Sequence, residues 1–367
     1  MNIIDYVNIY GNKSFVQLPF NDIDALILSE LSYLNFEKVV EGPHFIKIKD
    51  IKVFNEPDFY YGSVDSRNNK RLFKLMMKSK RYENIKVGYP KLAVDKKSLK
   101  QFYAATFILP NRIAFISYRG TDVTINGWKE DLVIAYQEGM PAQKDAVEYF
   151  KNAISLFKGQ FYLGGHSKGG NLAFYSAMTM NKSLEKRLIK AYSFDGPGIR
   201  KELSSFPAYE RVRPKLTKYI TGNDMIGVVY NKIPEAKIVF SPGILLGGHD
   251  VFAWQVDLIK GDFIYMKDRS AFSKGHEEAL MKWLVEMSDE DKKLAVDVLT
   301  QFFGESKTIY DLLLNASRNL MFRKKEWEAY TPEQKEKAKE IFKRLGKYYL
   351  EAYSPKRFLN IKLKKSA

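Results

Sequence analysis

The hydrophobic and polar positions of the chain sort into three stretches. In the first, residues 1–18 show no clear period and read as an irregular lead-in. Asn21-Asp22 then precedes DIDALILSELSYL, where Ile23, Leu26, Ile27 and Leu31 fall on or near one helical face. A short polar side chain at that boundary can satisfy free N–H groups at a helix start. Residues 55–100 are polar and charged; RYENIKVGYP reads as a loop and RLFKLMMKS as a short helix.

The pattern sharpens after residue 100. FYAATFIL (102–109) and RIAFISY (112–118), separated by Pro110-Asn111, predict a hairpin. In AQKDAVEYFKNAISLF (142–157), Ala146, Val147, Phe150, Ala153, Ile154 and Phe157 recur at helical spacing. FYLGG reads as a short buried strand, and GGNLAFYSAMTM opens a helix. IKAYSFD (189–195), LTKYIT (216–221) and KIVFS (237–241) are further strands. Strands alternating with helices imply a mainly parallel sheet covered on both faces. Past about residue 270 the pattern is all-helical. One helix starts at Ser288-Asp289-Glu290, and Thr331-Pro332-Glu333-Gln334 supplies an N-cap, a first-turn proline and a capping-box partner for another. The expected division is a catalytic domain over 1–265, its helical N-terminal region being 1–100, and a helical C-terminal extension over 266–367.

Composition narrows the chemistry. The 367 residues include no cysteine, which excludes thiolate nucleophiles, disulfides and cysteine-based metal sites. Hydrophobic residues make up 45%, enough for a filled core. The N-terminal MNIIDYVNIYGNK lacks the basic and apolar regions of a signal peptide, and no apolar run reaches the roughly 18 residues that would span a bilayer. A cytoplasmic location is the expectation. Net charge is +16, of which +7 sits in residues 341–367. A solvated tail is the plain reading. The sharper one is peripheral contact with anionic membrane, with Phe358, Leu359 and Ile361 beside Lys356, Arg357 and Lys362. No zinc-finger spacing or RNA-binding sheet motif points to nucleic acid. No H-E-x-x-H, acidic calcium loop or phosphate loop points to a metal or cofactor, so none is expected.

Gly165-His166-Ser167-Lys168-Gly169 stands between a predicted strand and a predicted helix. A G-x-S-x-G turn in that setting lifts the serine hydroxyl to the top of a sheet. Side chains at Gly165 and Gly169 would collide where strand and helix nearly touch. The Lys168 N–H, at the helix start, would face a developing oxyanion. A hydroxyl needs a base, and the chain has four histidines. His44 precedes the main sheet, His276 reads as a surface residue on a helix, and His166 adjoins the serine with its ring turned into packing. His249, in the Gly-flanked loop LLGGHDVFAW, follows the last strand and is the base of choice. The acid falls between Ser167 and His249 in this chain order. Asp224, in YITGNDMIGVVY, is preferred, and Asp195, in SFDGPG, is its rival; Asp250 is too close to His249 in sequence. Thr121, in SYRGTD, is placed to add a second oxyanion donor.

These segments resemble class 3 (fungal-type) lipases. YRGTD followed by GWKEDL resembles their FRGT…W…DL segment, and GGHSKGGNLA their GHSLGGALA elbow. YSFDGPG resembles their strand before a G-x-P turn, and NDMIGVVY their acid-bearing D-x-V-P segment. The likeness covers about residues 100–260. The whole chain is similar to uncharacterised bacterial α/β-hydrolases of that kind, through NDIDALILSELSYL, GHSKGGNLA, FDGPG and HDVFAWQVD. The resemblance implies an α/β-hydrolase fold, Ser167 as nucleophile, His249 as base, Asp224 as acid, and Thr121 and Lys168 as the oxyanion hole. In these lipases the segment after FRGT forms a lid; TINGWKEDLVIAY, with Trp128 and Ile134, is expected either to do the same or to pack on the sheet. Lys168 departs from the apolar residue usual in lipases and would bias the rim toward a polar or anionic group, or point to solvent. The expected activity is hydrolysis of small-molecule or lipid carboxylic esters through an acyl-enzyme. The alternative is an inactive binding protein on the same scaffold.

Overall fold

The computed structural model describes the chain apart from residues 61, 64, 96–99, 123–128, 131, 134–136, 138, 234, 244–245, 302–326 and 355–367. Trp128 and Ile134, expected in a lid, and the apolar-basic tail after residue 354 lie outside the described residues.

Eight strands form one sheet in sequence order. They are β1 (Phe45–Lys47), β2 (Lys86–Asp95), β3 (Lys100–Ile108), β4 (Ala114–Tyr118), β5 (Phe161–His166), β6 (Leu188–Phe194), β7 (Leu216–Thr221) and β8 (Lys237–Val239). β1 to β4 pair antiparallel, with the predicted hairpin as β3–β4. From β4 to β8 all pairings are parallel. Alternation along a strand sends successive side chains to opposite faces. Tyr103, Ala105 and Phe107 of β3 join the core beneath one face, while Phe102 and Ala104 join the core beneath the other.

The first core is covered by α1 (Ile3–Tyr10), α2 (Asp22–Glu30) and α3 (Ser66–Met77). The expected irregular lead-in is therefore a helix, capped by Asn2. Its Ile3, Ile4, Tyr6, Val7 and Tyr10 are buried while Asn8 and Ile9 are exposed, so an apolar residue on the outward face of a short helix blurs the period. The expected loop RYENIKVGYP instead runs into β2. Gly88 and Pro90 look like turn signals, but they sit at a register shift between Gly88 and Lys91, where Tyr89 takes φ 51°. A bulge accepts residues that would break a regular strand. The second core lies under α4 (Pro141–Ser155) and α5 (Lys168–Met178), with α6 (Lys182–Arg187) leading into β6. Helices on both faces of this largely parallel sheet, and a serine at the β5–α5 turn, define an α/β-hydrolase fold.

A third cluster joins α7 (Ala271–Glu286), α8 (Asp289–Gln301) and α9 (Pro332–Ala352). Thr331 caps α9 through the capping box expected from TPEQ. Trp283 and Ile341 meet Met140 and Tyr230 of the hydrolase body in this cluster, and Trp283 Nε1 donates to the Ile341 carbonyl at 2.8 Å. Among the described residues, no helix is long and apolar enough to cross a membrane.

Candidate active site

The hydrogen-bond ladder of the sheet runs one rung past two neighbouring strands and ends on Ser167 and Asp195. The Ser167 N–H donates to Phe194 O at 2.9 Å, and the Asp195 N–H to Tyr219 O at 2.8 Å. Both residues take positive φ, 55° for Ser167 and 52° for Asp195. Non-glycine residues in that region cost on the order of 1–3 kcal/mol each, and the surrounding structure must hold them there. At the serine the hold is contact at van der Waals range. A Cβ on Gly165 would fall 2.3 Å from the Gly169 carbonyl carbon, and one on Gly169 would fall 2.1 Å from Tyr118 O. Only glycine lets strand and helix approach so closely.

The SYRGTD segment closes against the same turn. A Cβ on Gly120 would lie 2.9 Å from Ser167 Cβ and 2.6 Å from His166 O. Thr121, the next residue, is buried. Arg119 anchors the segment: Nε donates to Ser32 O at 2.6 Å, Nη2 reaches Leu34 O at 3.1 Å and Asn35 Oδ1 at 3.0 Å, and the guanidinium stacks on Tyr103.

His249 ends a short helical turn, Leu246–His249, after β8. Its Nδ1 is 2.7 Å from Asp195 Oδ2. With Nδ1–H donated to the carboxylate, Nε2 is left as the basic nitrogen. The expectation that Asp224 partners this ring is thus corrected in favour of its rival, Asp195. Asp195 ends β6, the strand beside the serine's own. Asp224 lies in the turn after β7, one strand further out, where its Oδ1 accepts the N–H groups of Ile226 and Gly227, both at 2.8 Å.

His166 is buried in packing as expected, but it has a further part in the site. Its Nε2 is 2.9 Å from the His249 carbonyl, and its Nδ1 is 3.1 Å from Tyr33 Oη. A carbonyl only accepts, so Nε2 carries the hydrogen and Nδ1 accepts from the tyrosine. The two imidazoles lie 4.4 Å apart between ring centres. Burial first, and His249 second, hold the His166 pKa well below the usual histidine range, so the ring is neutral. His166 thereby ties the loop of His249 to the Ser167 turn. No local pattern announces this role, since Tyr33, His166 and His249 are far apart in sequence.

Lys168 takes neither expected position. Its side chain is buried, and Nζ is paired with Glu130 while donating to Gln101 O at 2.9 Å. Glu130 Oε2 also accepts the Gln101 N–H at 3.1 Å. A cation at a helix N-terminus opposes the helix dipole, and the glutamate offsets it. Lys168 therefore presents no charge to the rim. Its N–H, as the first of α5, has no acceptor within the helix. His276, expected at the surface, is buried on α7 between Met225 O at 3.1 Å and Tyr349 Oη at 2.8 Å. A cleft of about 180 Å³ opens one helical turn beyond the serine, walled by Met140, Asn171, Tyr175 and Ile199, with Arg200 and Lys201 among its lining.

A strained serine on a glycine-walled turn, beside a histidine bonded to a buried aspartate, sets this chain in the class of α/β-hydrolase-fold proteins. Residues 76–301 match the Mbeg1-like family model, and the chain belongs to that family. No curated protein matches it. Among solved structures it is similar to the crystal structure of M37 lipase, at 14% identity and a TM-score of 0.38, over 58% of this chain and 71% of the other.

Proposed function

We propose that the protein is a serine hydrolase of carboxylic esters. The observation that carries this reading is the 2.7 Å contact from His249 Nδ1 to Asp195, made by a ring packed 4.4 Å from that of His166, the neighbour of the strained Ser167. Asp195 holds the imidazole in the tautomer whose Nε2 is basic, and this nitrogen takes the proton from Ser167 as the hydroxyl attacks the ester carbonyl. The N–H groups of Lys168 and Thr121 receive the oxyanion. His249 then returns the proton to the leaving alcohol, and water releases the acyl group by the same steps in reverse. The cleft beside Asn171 and Tyr175 takes one arm of the ester. Small-molecule or lipid esters remain the substrate class.

A fluorophosphonate probe tests the mechanism. It should label the wild-type protein and spare Ser167→Ala. Equal labelling of both would remove Ser167 from the chemistry. Failure to label folded wild-type protein would favour a binding module on a hydrolase scaffold. Where labelling succeeds, p-nitrophenyl esters of graded chain length would define the acyl preference.

A further inference from the structure

Two carboxyl oxygens lie buried behind the histidine with no hydrogen-bond donor. They are Asp195 Oδ1 and Asp224 Oδ2. Each is the spare oxygen of its group: Asp195 Oδ2 is taken by His249, and Asp224 Oδ1 by the two backbone N–H groups after it. They converge on one point, for a Cβ on Gly227 would lie 2.6 Å from Asp224 Oδ2 and 2.8 Å from Asp195 Oδ1. Two ionised carboxylates in such a setting repel and leave both oxygens unsatisfied, whereas one proton between them satisfies both.

We propose that Asp195 and Asp224 hold a single shared proton, with the Asp224 hydroxyl donating to Asp195 Oδ1, so that Asp224 is a positioning residue for the acid that orients His249. The surroundings agree with one negative charge in place of two. Lys218, buried on β7, is the cation facing the pair; His249 bonds it, and His276 and Glu277 on α7 face it from the other side. Burial first, and then Asp195, raises the Asp224 pKa well above the carboxylate range. Burial also raises Asp195, to about 7, against the opposing pull of the Asp224 bond, the Lys218 charge and the Thr221 backbone. The Ser273 hydroxyl, donating to Asp224 O at 2.6 Å, ties this residue to α7.

The catalytic consequence rests on the hydrolase reading above, but the shared proton does not. It is read first by infrared difference spectroscopy of wild-type protein against Asp224→Asn at neutral pH. The wild type should show a protonated-carboxyl C=O band that the variant lacks, while Glu30, another buried carboxyl, cancels. Activity gives the second readout, on p-nitrophenyl acetate. Asp224→Ala leaves Asp195 without its donor, so the acid limb of kcat/KM should move up by about one to two pH units. kcat should fall at least about tenfold with KM unchanged, the mark of an interaction made in the transition state. Asp224→Asn can still donate to Asp195 Oδ1 and should keep both the limb and kcat within a few-fold of wild type. Absence of the band, an unmoved limb in Asp224→Ala, or Asp224→Asn as impaired as Asp224→Ala would each overturn the proposal. Failed probe labelling with the band present would overturn the hydrolase reading and leave the shared proton standing. Labelling without the band would do the reverse.

Discussion

Two buried carboxylate clusters in this protein meet opposite standards of hydrogen bonding. Under the N-terminal helices, Asp24 receives Arg81 Nε at 2.8 Å, a second bond from Arg81 Nη2, the Tyr82 hydroxyl and the Asn21 N–H. Arg81 spends its remaining donors on the carbonyls of Lys13, Leu18 and Pro19. At the sheet edge, Asp195 and Asp224 keep one oxygen each without a donor. A saturated cluster has nothing left to give a substrate and serves the fold. An unsaturated one, strained in its backbone and set beside a serine, keeps its charge poorly solvated and available. Burial alone does not separate the two; the number of donors per oxygen does.

The comparison breaks most sharply at Asp195. Asp195→Asn should lower kcat on p-nitrophenyl acetate by about 10⁴-fold, because the amide favours the wrong histidine tautomer. Its urea midpoint should stay near that of wild type, since Asp224 can ionise in its place and keep one negative charge facing Lys218. Arg81→Leu should do the opposite. It strands the Asp24 charge and should cost about 3–5 kcal/mol in urea unfolding, with kcat per folded molecule unchanged at low urea.

Glu30 sharpens the rule from a third position. It is a buried carboxyl bonded by Asn69 Nδ2 at 2.6 Å, and burial pushes its pKa up to about 8. Such a group holds its proton more tightly folded than unfolded. Its stabilising contribution is full below its ordinary value of 4.5 and is lost as pH climbs through about 8. Glu30→Gln should therefore gain on wild type across that window, by up to about 5 kcal/mol of urea-unfolding free energy. A flat difference would show that Glu30 is well solvated after all. The smallest effect belongs to Tyr33→Phe. Loss of the hydroxyl at His166 Nδ1 should cost about 0.5–1.5 kcal/mol of stability and a few-fold in kcat.

Most of the central architecture was legible because its signals are local. LTKYIT is β7 residue for residue, and AQKDAVEYFKNAISLF differs from α4 only at its ends. The serine turn was legible for the same reason: strand, glycines, serine and helix are contiguous. Two elements escaped. α1 is short and carries the exposed Ile9 on its outward face, which blurs its period, and β2 carries Gly88 and Pro90 at its bulge. The aspartate that bonds His249 escaped for a different reason. Asp195 and Asp224 each follow a strand, and both precede His249 in the expected order. Only the lateral order of β6 and β7, and the reach of one imidazole, separates them. The Lys168–Glu130 pair was equally hidden, since its partners stand 38 residues apart.

The bond from Tyr33 to His166 and the grip of Ser32, Leu34 and Asn35 on Arg119 have a consequence for how the crevice comes into being. Serine, aspartate and histidine all come from the later strands, yet the wall behind them is furnished by residues made much earlier. A chain begun after residue 40 would lack α2, which packs on β4 and β5, and would leave this face of the sheet and its Ser167 corner open to water. Completion of the Ser167 corner therefore waits on docking of the amino-terminal segment, which makes that segment a keystone and not a decoration.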